Sequence, residues 1–190
     1  MVTRVFVEKK QGFNIEAQQM LADLKGNLGL RGLEEVRILN RYDVSGLSEE
    51  QFGAAARTIL SEPTMDAVYG EDFRLPGEYQ VFAMEYLPGQ YDQRADSCAQ
   101  CIQLMAGVDR PLIAYAKVYL LGGQLSQGEL EKIRKYLINP VESRQAAMDK
   151  PETLVRTHEA PDHVAVIQGF TTLDEPGLAG LLSQLGLAMD

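Results

Sequence analysis

The spacing of apolar side chains along the chain alternates between the two-residue period of a strand and the longer period of a helix. Residues 3–8 and 33–44 have the two-residue period and predict half-buried strands. Between them, one helical face carries a row of apolar residues, Ala17, Met20, Leu21, Leu24 and Leu28. Gly29 follows this row and predicts the end of the helix. A second helix is predicted from Glu49, followed by a short edge strand over residues 65–69.

The same order of predicted elements recurs in the second half of the chain. This half contains a strand over residues 79–87, a helix over 93–105, a strand over 111–121 and a helix over 127–138. In each half the first strand ends at a glutamate, a glycine turn follows, and an aromatic residue precedes an Asn or Asp that can cap the next helix. These residues are Glu8, Gly12, Phe13 and Asn14 in the first half and Glu85, Gly89, Tyr91 and Asp92 in the second.

Two capping boxes occupy corresponding places in the two halves. Ser48 precedes Gln51 by three residues, and Ser126 precedes Glu129 by the same spacing. In such a box the serine and the later residue satisfy each other's backbone N–H groups at the start of a helix. An apolar pair flanks each box, Leu47 with Phe52 and Leu125 with Leu130. We therefore expect each half to begin its second helix in the same way.

The repeated signals predict an internal duplication that divides the chain into three parts. The first unit covers residues 1–77, and the second covers residues 78–145. Residues 146–190 are expected to be a linker and the start of a following domain, with a further strand over 163–167. The linker prediction rests on a polar stretch, residues 139–159, that has no strong period. Leucines form a stripe near the end of the chain and suggest a truncated larger protein: Leu178, Leu181, Leu182 and Leu185.

Composition limits the class of protein. A chain of 190 residues with 45% hydrophobic and 24% charged residues is typical of globular domains. It has no long apolar run and no charged leader, so we expect neither a membrane span nor a secretory signal. The net charge of −9 argues against a general nucleic-acid binder, because phosphate contacts need clustered Lys and Arg. Two cysteines are too few for a disulfide framework, which favours a reducing cytoplasm.

A CxxC motif at Cys98 and Cys101 is the first candidate for site chemistry, as a redox pair or as half of a zinc site. His158 and His163 could supply two further ligands, but they are much farther from the cysteines in sequence than in a zinc finger. Cys98 also corresponds to Met20 in the first half, which lies on the predicted core face. We therefore expect Cys98 to be a small buried apolar residue and not a metal ligand.

Asp92 and Asp96 are the second candidate, since they lie one helical turn apart with Arg94 between them. Paired carboxylates can perform acid–base or metal chemistry, but Asp92 is already explained as a helix cap. The glycine-rich run 26–32 lacks the spacing of a phosphate loop and follows a helix, so it predicts a helix exit. No nucleophile and base are credibly spaced. The sequence therefore assigns no catalytic, cofactor-binding or metal-binding residue.

Four segments of the chain resemble a known enzyme family. They are VEKKQGF (7–13), VRILNRYDV (36–44), EYLPGQYDQRADS (85–97) and YLINPVESR (136–144). These segments are similar to the N-terminal region of large, single-chain phosphoribosylformylglycinamidine synthases of the bacterial type. The run LPGQYDQRAD within the third segment is the most specific part of the resemblance, which spans nearly the whole chain.

The resemblance implies a place in purine biosynthesis. Enzymes of this family are ligases of the glutamine amidotransferase class, and they amidate formylglycinamide ribonucleotide with ATP, magnesium and glutamine. Their N-terminal region is a duplicated PurS-like domain, which replaces a dimer of small subunits found where the enzyme is assembled from separate chains. Their ATP and substrate sites lie in synthetase domains and their nucleophile in a glutaminase domain. No catalytic residue of the family can be carried onto a position of this chain.

We therefore expect an α+β fold in which two β-α-β-α units pack their strand layers together as a pseudo-dimer, with helices outside the strand layers. The expected role is structural, docking synthetase to glutaminase domains so that ammonia passes between their sites. The partners would be those domains, with no nucleic acid and no membrane. The alternative is a stand-alone sensor that binds an amino acid at the interface between the two repeats.

Overall fold

The computed structural model describes residues 1–74, 79–155 and 166–186, which belong to two compact units, Met1–Val155 and Arg156–Asp190. The first unit is α+β, and its described residues form six strands: β1 Val2–Lys9, β2 Leu33–Ser45, β3 Asp66–Tyr69, β4 Tyr79–Tyr86, β5 Leu112–Gly123 and β6 Ser143–Ala146. The same described residues form four helices: α1 Ile15–Leu28, α2 Glu49–Thr58, α3 Gln93–Ala106 and α4 Gln127–Leu137. Strands and helices therefore lie close to the ranges that the apolar periods predict.

All six strands form one antiparallel sheet in the order β3-β1-β2-β5-β4-β6. In this order β1, β2 and β3 of the first half occupy the same places from one edge as β4, β5 and β6 of the second half occupy from the other edge. The register repeats as well. The pair Val7–Asn40 between β1 and β2 recurs 77 positions later as Met84–Lys117 between β4 and β5. At the centre of the sheet Asn40 lies opposite Lys117, so a pseudo-two-fold axis relates the halves through this pair.

The halves meet along the edges of β2 and β5, which differs from the expected packing of two strand layers against each other. The pairing between them runs from Ser45–Leu112 to Leu33–Gly123, over nearly the whole of both strands. An unpaired strand edge presents a row of N–H and C=O groups, and edge-to-edge pairing satisfies them. The result is a single continuous sheet, with the four helices on one of its faces.

The core under the helices is shared between the halves. One cluster contains Leu24 of α1 and Ile133 of α4, packed over Val36, Phe82 and other residues of the sheet. A second cluster joins α2 and α3 through Ala55 and Ile102, over side chains of β1 and β2 such as Val5 and Tyr42. Each cluster thus takes one helix from each half, and neither half contains a complete core of its own.

On the opposite face of the sheet, buried charges and the segment after β6 lie beside an apolar cluster that includes Leu39 and Val118. The guanidinium of Arg4 donates to both carboxylate oxygens of Asp43, at 2.6 and 2.9 Å, and to the backbone oxygen of Met148 at 2.6 Å. Arg41 donates to the backbone oxygen of Ala147 at 2.7 Å, while burial and the charge of Arg4 lower the pKa of Arg41. These bonds hold residues 147–149 against the sheet.

Strand β6 corrects the prediction of a linker over residues 139–159. Its outward residues Arg144 and Gln145 are polar and exposed, so an apolar period was not visible in the sequence. Ser143 and Ala146 are buried, and β6 pairs with β4 from Tyr86–Ser143 to Ala83–Ala146. Backbone pairing at a sheet edge therefore orders a stretch whose side chains give little signal.

The predicted side-chain caps at the helix starts are confirmed with one exception. Ser48 and Ser126 both form complete capping boxes, and Asp92 accepts a hydrogen bond from the backbone N–H of Ala95 at 2.9 Å. The predicted cap at Asn14 is wrong, because its side-chain oxygen accepts from Gln18 Nε2 and from no backbone N–H of α1. The backbone of Asn14 has ψ 41°, outside the extended conformation that a capping residue usually adopts.

The second unit is described over residues 166–186. It contains a short 3₁₀ turn, Phe170–Thr172, and helix α5, Glu175–Leu185, which carries the leucine stripe. Asp174 caps α5 by accepting from the N–H of Gly177 at 3.0 Å. The predicted strand over 163–167 falls mainly on residues outside the described part. In the ranges that the structure describes, no helix is long and apolar enough to cross a membrane.

Candidate functional site

A cleft of about 450 Å³ opens where β4 and β5 separate. The two strands pair from Tyr79–Gly122 to Met84–Lys117, and beyond this point β4 pairs only with β6. The start of α3 lies across the gap. The cleft is lined by Met84, Glu85, Tyr86, Asp92, Gln93, Arg94, Ser97, Tyr115 and Lys117. It therefore lies between the first strand, first helix and second strand of the second half.

Most of the lining comes from segment 85–97, which contains the run LPGQYDQRAD. After β4, a turn closed by the bond from Gln90 N to Leu87 O leads to the start of α3. Gly89 in this turn has φ 92°, a conformation that side chains with a Cβ rarely adopt. The turn and the Asp92 cap together fix the first turn of α3 above the cleft.

Arg94 reaches across the join between the halves. Its Nη1 donates to the hydroxyl of Tyr42 in β2 at 3.1 Å, and its guanidinium carbon lies 5.2 Å from the centre of the Tyr115 ring. Burial alone would lower the pKa of Arg94, but the hydrogen bond to the Tyr42 hydroxyl, together with smaller electrostatic effects of neighbouring groups, outweighs it and raises that pKa. Among the described residues no carboxylate forms an ion pair with Arg94.

The two aspartates predicted as a possible pair have separate partners. Asp92 lines the cleft and caps α3, and burial raises the pKa of its carboxyl group. Asp96 forms an ion pair with Arg110 and accepts from the hydroxyl of Tyr91 at 3.0 Å. Asp96 is not part of the cleft lining, so the structure does not bring the two carboxylates together for acid–base or metal chemistry.

Lys117 lies at the pseudo-two-fold axis and is already paired. Its Nζ lies 2.6 Å from a carboxylate oxygen of Glu16, which belongs to the first half of the chain. Its neighbour on β5, Tyr115, donates its hydroxyl to Asn40 at 2.7 Å. Burial raises the pKa of the Tyr115 hydroxyl above its ordinary value, so the ring remains neutral at physiological pH. Contacts between the two halves of the chain therefore fix the positions of Tyr115 and Lys117 at the base of the cleft.

The corresponding cleft of the first half is nearly closed. It is lined by Glu8, Lys9, Asn14, Glu16, Ala17, Val36, Arg37, Ile38 and Asn40, and its volume is about 30 Å³. That volume accommodates about one or two water molecules. Glu16 occupies the position equivalent to Arg94, so the two clefts carry opposite charges at this point. The pseudo-symmetry of the backbone therefore does not extend to the chemistry of the clefts.

The cysteines and the glycine run have structural positions. Cys98 is partly buried against the cluster under α2 and α3, and burial raises the pKa of its thiol, whereas Cys101 is exposed. Gly29 has φ 68° and ends α1, as the glycine run predicted. In the described part of the chain, no cluster of His, Cys, Asp or Glu is arranged to hold a metal ion. His158 and His163 lie outside that part.

Sequence reasoning did not find the cleft. The sequence marks Arg94 only as the residue between two aspartates, and its partners Tyr42 and Tyr115 belong to the two central strands, β2 and β5. These tyrosines lie opposite each other because β2 and β5 pair edge to edge. The strand register that brings the three residues together has no local signal in the sequence.

Comparison with known proteins does not assign the chain to a family. No protein-family model matches it, and no curated protein is significantly similar to it.

Proposed function

We propose that the unit Met1–Val155 is a non-catalytic scaffold, a duplicated PurS-like pseudo-dimer of the kind found in single-chain phosphoribosylformylglycinamidine synthases. In this role it docks the synthetase domain to the glutaminase domain of the same enzyme in the cytoplasm. The observation that carries the proposal is the register of the sheet, which repeats at an offset of 77 residues on both sides of the Asn40–Lys117 pair.

This register is the arrangement expected of two associated copies of one subunit. In a symmetric dimer joined along one strand, the axis passes between a residue and its own counterpart. Asn40 and Lys117 are such counterparts, because each stands at the same place in the ladder of its own half. The edge strands repeat in the same way, with Phe6–Tyr69 corresponding to Ala83–Ala146. A fused pair of PurS-like units accounts for these correspondences.

The segments that resemble the family also lie where they build this arrangement. Segment 36–44 forms the centre of β2 at the join, and segment 136–144 runs from the end of α4 into β6. Segments 7–13 and 85–97 contain the corresponding turns after β1 and β4. The segments that resemble the family thus lie mainly in β2, where the two halves pair, and in the turns after β1 and β4.

The scaffold role implies that ATP, magnesium and glutamine are used by the other domains of the enzyme. Fixed docking of two catalytic domains keeps the path between their sites short and protected, so that ammonia released at one site reaches the other before it escapes into water. A non-catalytic domain with a rigid, cooperative core is suited to hold that geometry.

The proposal is tested by measuring whether this chain binds the synthetase and glutaminase domains of a single-chain phosphoribosylformylglycinamidine synthase, each produced separately. We expect the chain to form a stoichiometric complex with them in size-exclusion chromatography with light scattering. It should also restore glutamine-dependent amidation to a mixture of the two domains. An equal amount of an unrelated acidic protein serves as the control. Absence of both complex formation and restored activity would contradict the docking role.

The second candidate function is that of an amino-acid sensor, and the cleft at Arg94 is the observation that favours it. A sensor binds its ligand in isolation, without catalytic domains. Ligand binding and domain docking are therefore measured in separate experiments, and failure of one leaves the other standing.

A further inference from the structure

We propose that the cleft between β4, β5 and the start of α3 binds a small zwitterion of the free α-amino acid class. The ligand carboxylate pairs with Arg94, and the ligand ammonium group pairs with Asp92. This inference rests on the second candidate function, for which it names the site and the ligand class, and it is independent of the docking role.

The size of the cleft suits a small ligand. Its volume of about 450 Å³ lies within the range of roughly 300–1,000 Å³ that is usual for small-molecule sites. The lining combines apolar surface from Met84 and the Tyr115 ring with polar groups such as the hydroxyl of Ser97. The corresponding cleft of the first half has the same backbone origin and lacks this space.

Arg94 provides the anchor for a carboxylate. Its partners among the described residues are the hydroxyl of Tyr42 and the aromatic ring of Tyr115, both of which are uncharged at physiological pH. The Arg94 side chain is exposed to solvent, and its two neutral partners occupy only part of its donors and leave the guanidinium without a counterion. A carboxylate that accepts two parallel hydrogen bonds from the guanidinium would supply both the counterion and the missing acceptors.

Asp92 provides the complementary charge. One carboxylate oxygen accepts from the N–H of Ala95, and no Lys or Arg of the described residues forms an ion pair with this carboxylate. Asp92 and Arg94 line the same cleft from the first turn of one helix, but they are not within ion-pair distance of each other. Two opposite charges on one wall of a cleft, each without an ionic partner, match a ligand that carries both charges.

The other charged groups of the lining are already neutralised. Lys117 pairs with Glu16 at 2.6 Å, and Glu85 pairs with Arg144 at 2.7 Å. A ligand with a single charge would therefore leave either Arg94 or Asp92 unmatched. Because β4 and β5 do not pair beyond Met84–Lys117, backbone groups of β5 beside the cleft are not bonded to β4. These groups are suited to hydrogen-bond a polar side chain of the ligand.

Calorimetric titration of the full chain tests the proposal. The probes are L-glutamine and each other proteinogenic amino acid, with acetate and inorganic phosphate as probes that carry only negative charge. We expect at least one amino acid to bind, and to bind at least about ten-fold more tightly than acetate or phosphate. Arg94→Met should weaken that binding by about ten- to hundred-fold, which is the usual effect of losing a hydrogen-bonded ion pair.

Three further variants separate ligand contacts from folding. Asp92→Asn retains an oxygen that can cap α3 and should still weaken binding by about ten-fold, because the negative charge is lost. Arg94→Lys should give an intermediate affinity, because it retains the charge without the planar pair of donors. Arg110→Met is the matched control, since Arg110 contacts α3 through Asp96 and is not part of the cleft. It should leave the affinity unchanged.

The proposal is overturned if no amino acid binds at millimolar concentration while circular dichroism shows a folded chain. It is also overturned if Arg94→Met binds as tightly as the unaltered chain, or if phosphate or acetate binds as tightly as the amino acids. Complex formation with the catalytic domains is measured by chromatography without added amino acid, so its outcome is independent of these results.

Discussion

Replacing Asp43 should strongly lower the free energy of unfolding. Among the described residues, Asp43 is the only carboxylate that both pairs with Arg4 and lies near Arg41. All three side chains are buried, and Asp43 is 2% exposed. Asp43→Ala would leave two buried guanidinium groups without a counterion and should lower the free energy of unfolding by about 3–5 kcal/mol. Urea denaturation measures this change.

Glu131 is the control for Asp43. It pairs with Arg134 at 3.6 Å on the surface of α4, where its side chain is 59% exposed. Exposed pairs contribute about 0–1 kcal/mol, so Glu131→Ala should be nearly neutral. Equal losses of stability in the two variants would show that the buried cluster has no special role in folding.

Asp92 should make stability depend on pH in a direction opposite to that of most carboxyl groups. Burial raises the pKa of its carboxyl group in the folded chain, so folding favours the protonated form. The stability from this group is complete below its ordinary pKa of about 3.9 and is lost as the pH rises through the raised value. Asp92→Asn does not titrate at this position.

The stability of the unaltered chain should therefore fall relative to that of Asp92→Asn as the pH rises from 3 towards neutrality. Denaturant unfolding of both proteins across this range measures the difference. A difference that stays constant, or that changes in the opposite sense, would contradict a raised pKa at Asp92.

Secondary structure was largely predictable because its signals are local. The capping boxes at Ser48 and Ser126 and the glycine after α1 mark helix ends through bonds within a few residues. Strand β6 was missed because its order comes from pairing with β4. The Asn14 cap was wrong because the backbone conformation, which the residue type does not determine, decides whether a side chain can reach an N–H group.

The caps themselves give a prediction that separates residues whose side chains cap a helix from one that only precedes a helix. Ser48→Ala and Ser126→Ala should each lower the free energy of unfolding by about 1 kcal/mol, because each removes an acceptor for a backbone N–H at the start of a helix. Asn14→Ala should cost clearly less, because its side chain bonds only to Gln18. Thermal or urea denaturation of the three variants tests this order, and a loss at Asn14 equal to those at the serines would contradict it.

The arrangement of the halves and the site was not predictable to the same extent. The repeat along the chain indicated two related units, but nothing local specified that β2 and β5 would pair by their edges. That pairing sets Tyr42 opposite Tyr115 and thereby creates the contacts of Arg94. The cleft thus depends on long-range register, whereas the cap at Asp92, on the same helix turn, was visible in the sequence.

One half of the molecule should not remain monomeric by itself. A fragment of residues 1–77 would expose the β2 edge together with core side chains such as Val36 and Tyr42, which the second half covers in the full chain. An uncovered strand edge beside apolar surface drives association. We expect this fragment to dimerise or aggregate in analytical ultracentrifugation, and the full chain not to associate through this edge. A stable, folded, monomeric fragment would contradict the shared core.

Hydrogen exchange of Leu24→Ala decides whether the two halves form one cooperative structure. Leu24 is 0% exposed in α1 and belongs to the cluster that also contains Ile133 and Tyr119 of the second half. The substitution should cost about 2–5 kcal/mol. If the core is shared, amide protons of β2 and of β5, Leu112–Gly123, should lose protection together and by similar factors. If β2 loses protection while β5 remains as protected as in the unaltered chain, the halves fold independently and the pseudo-dimer with a common core is contradicted.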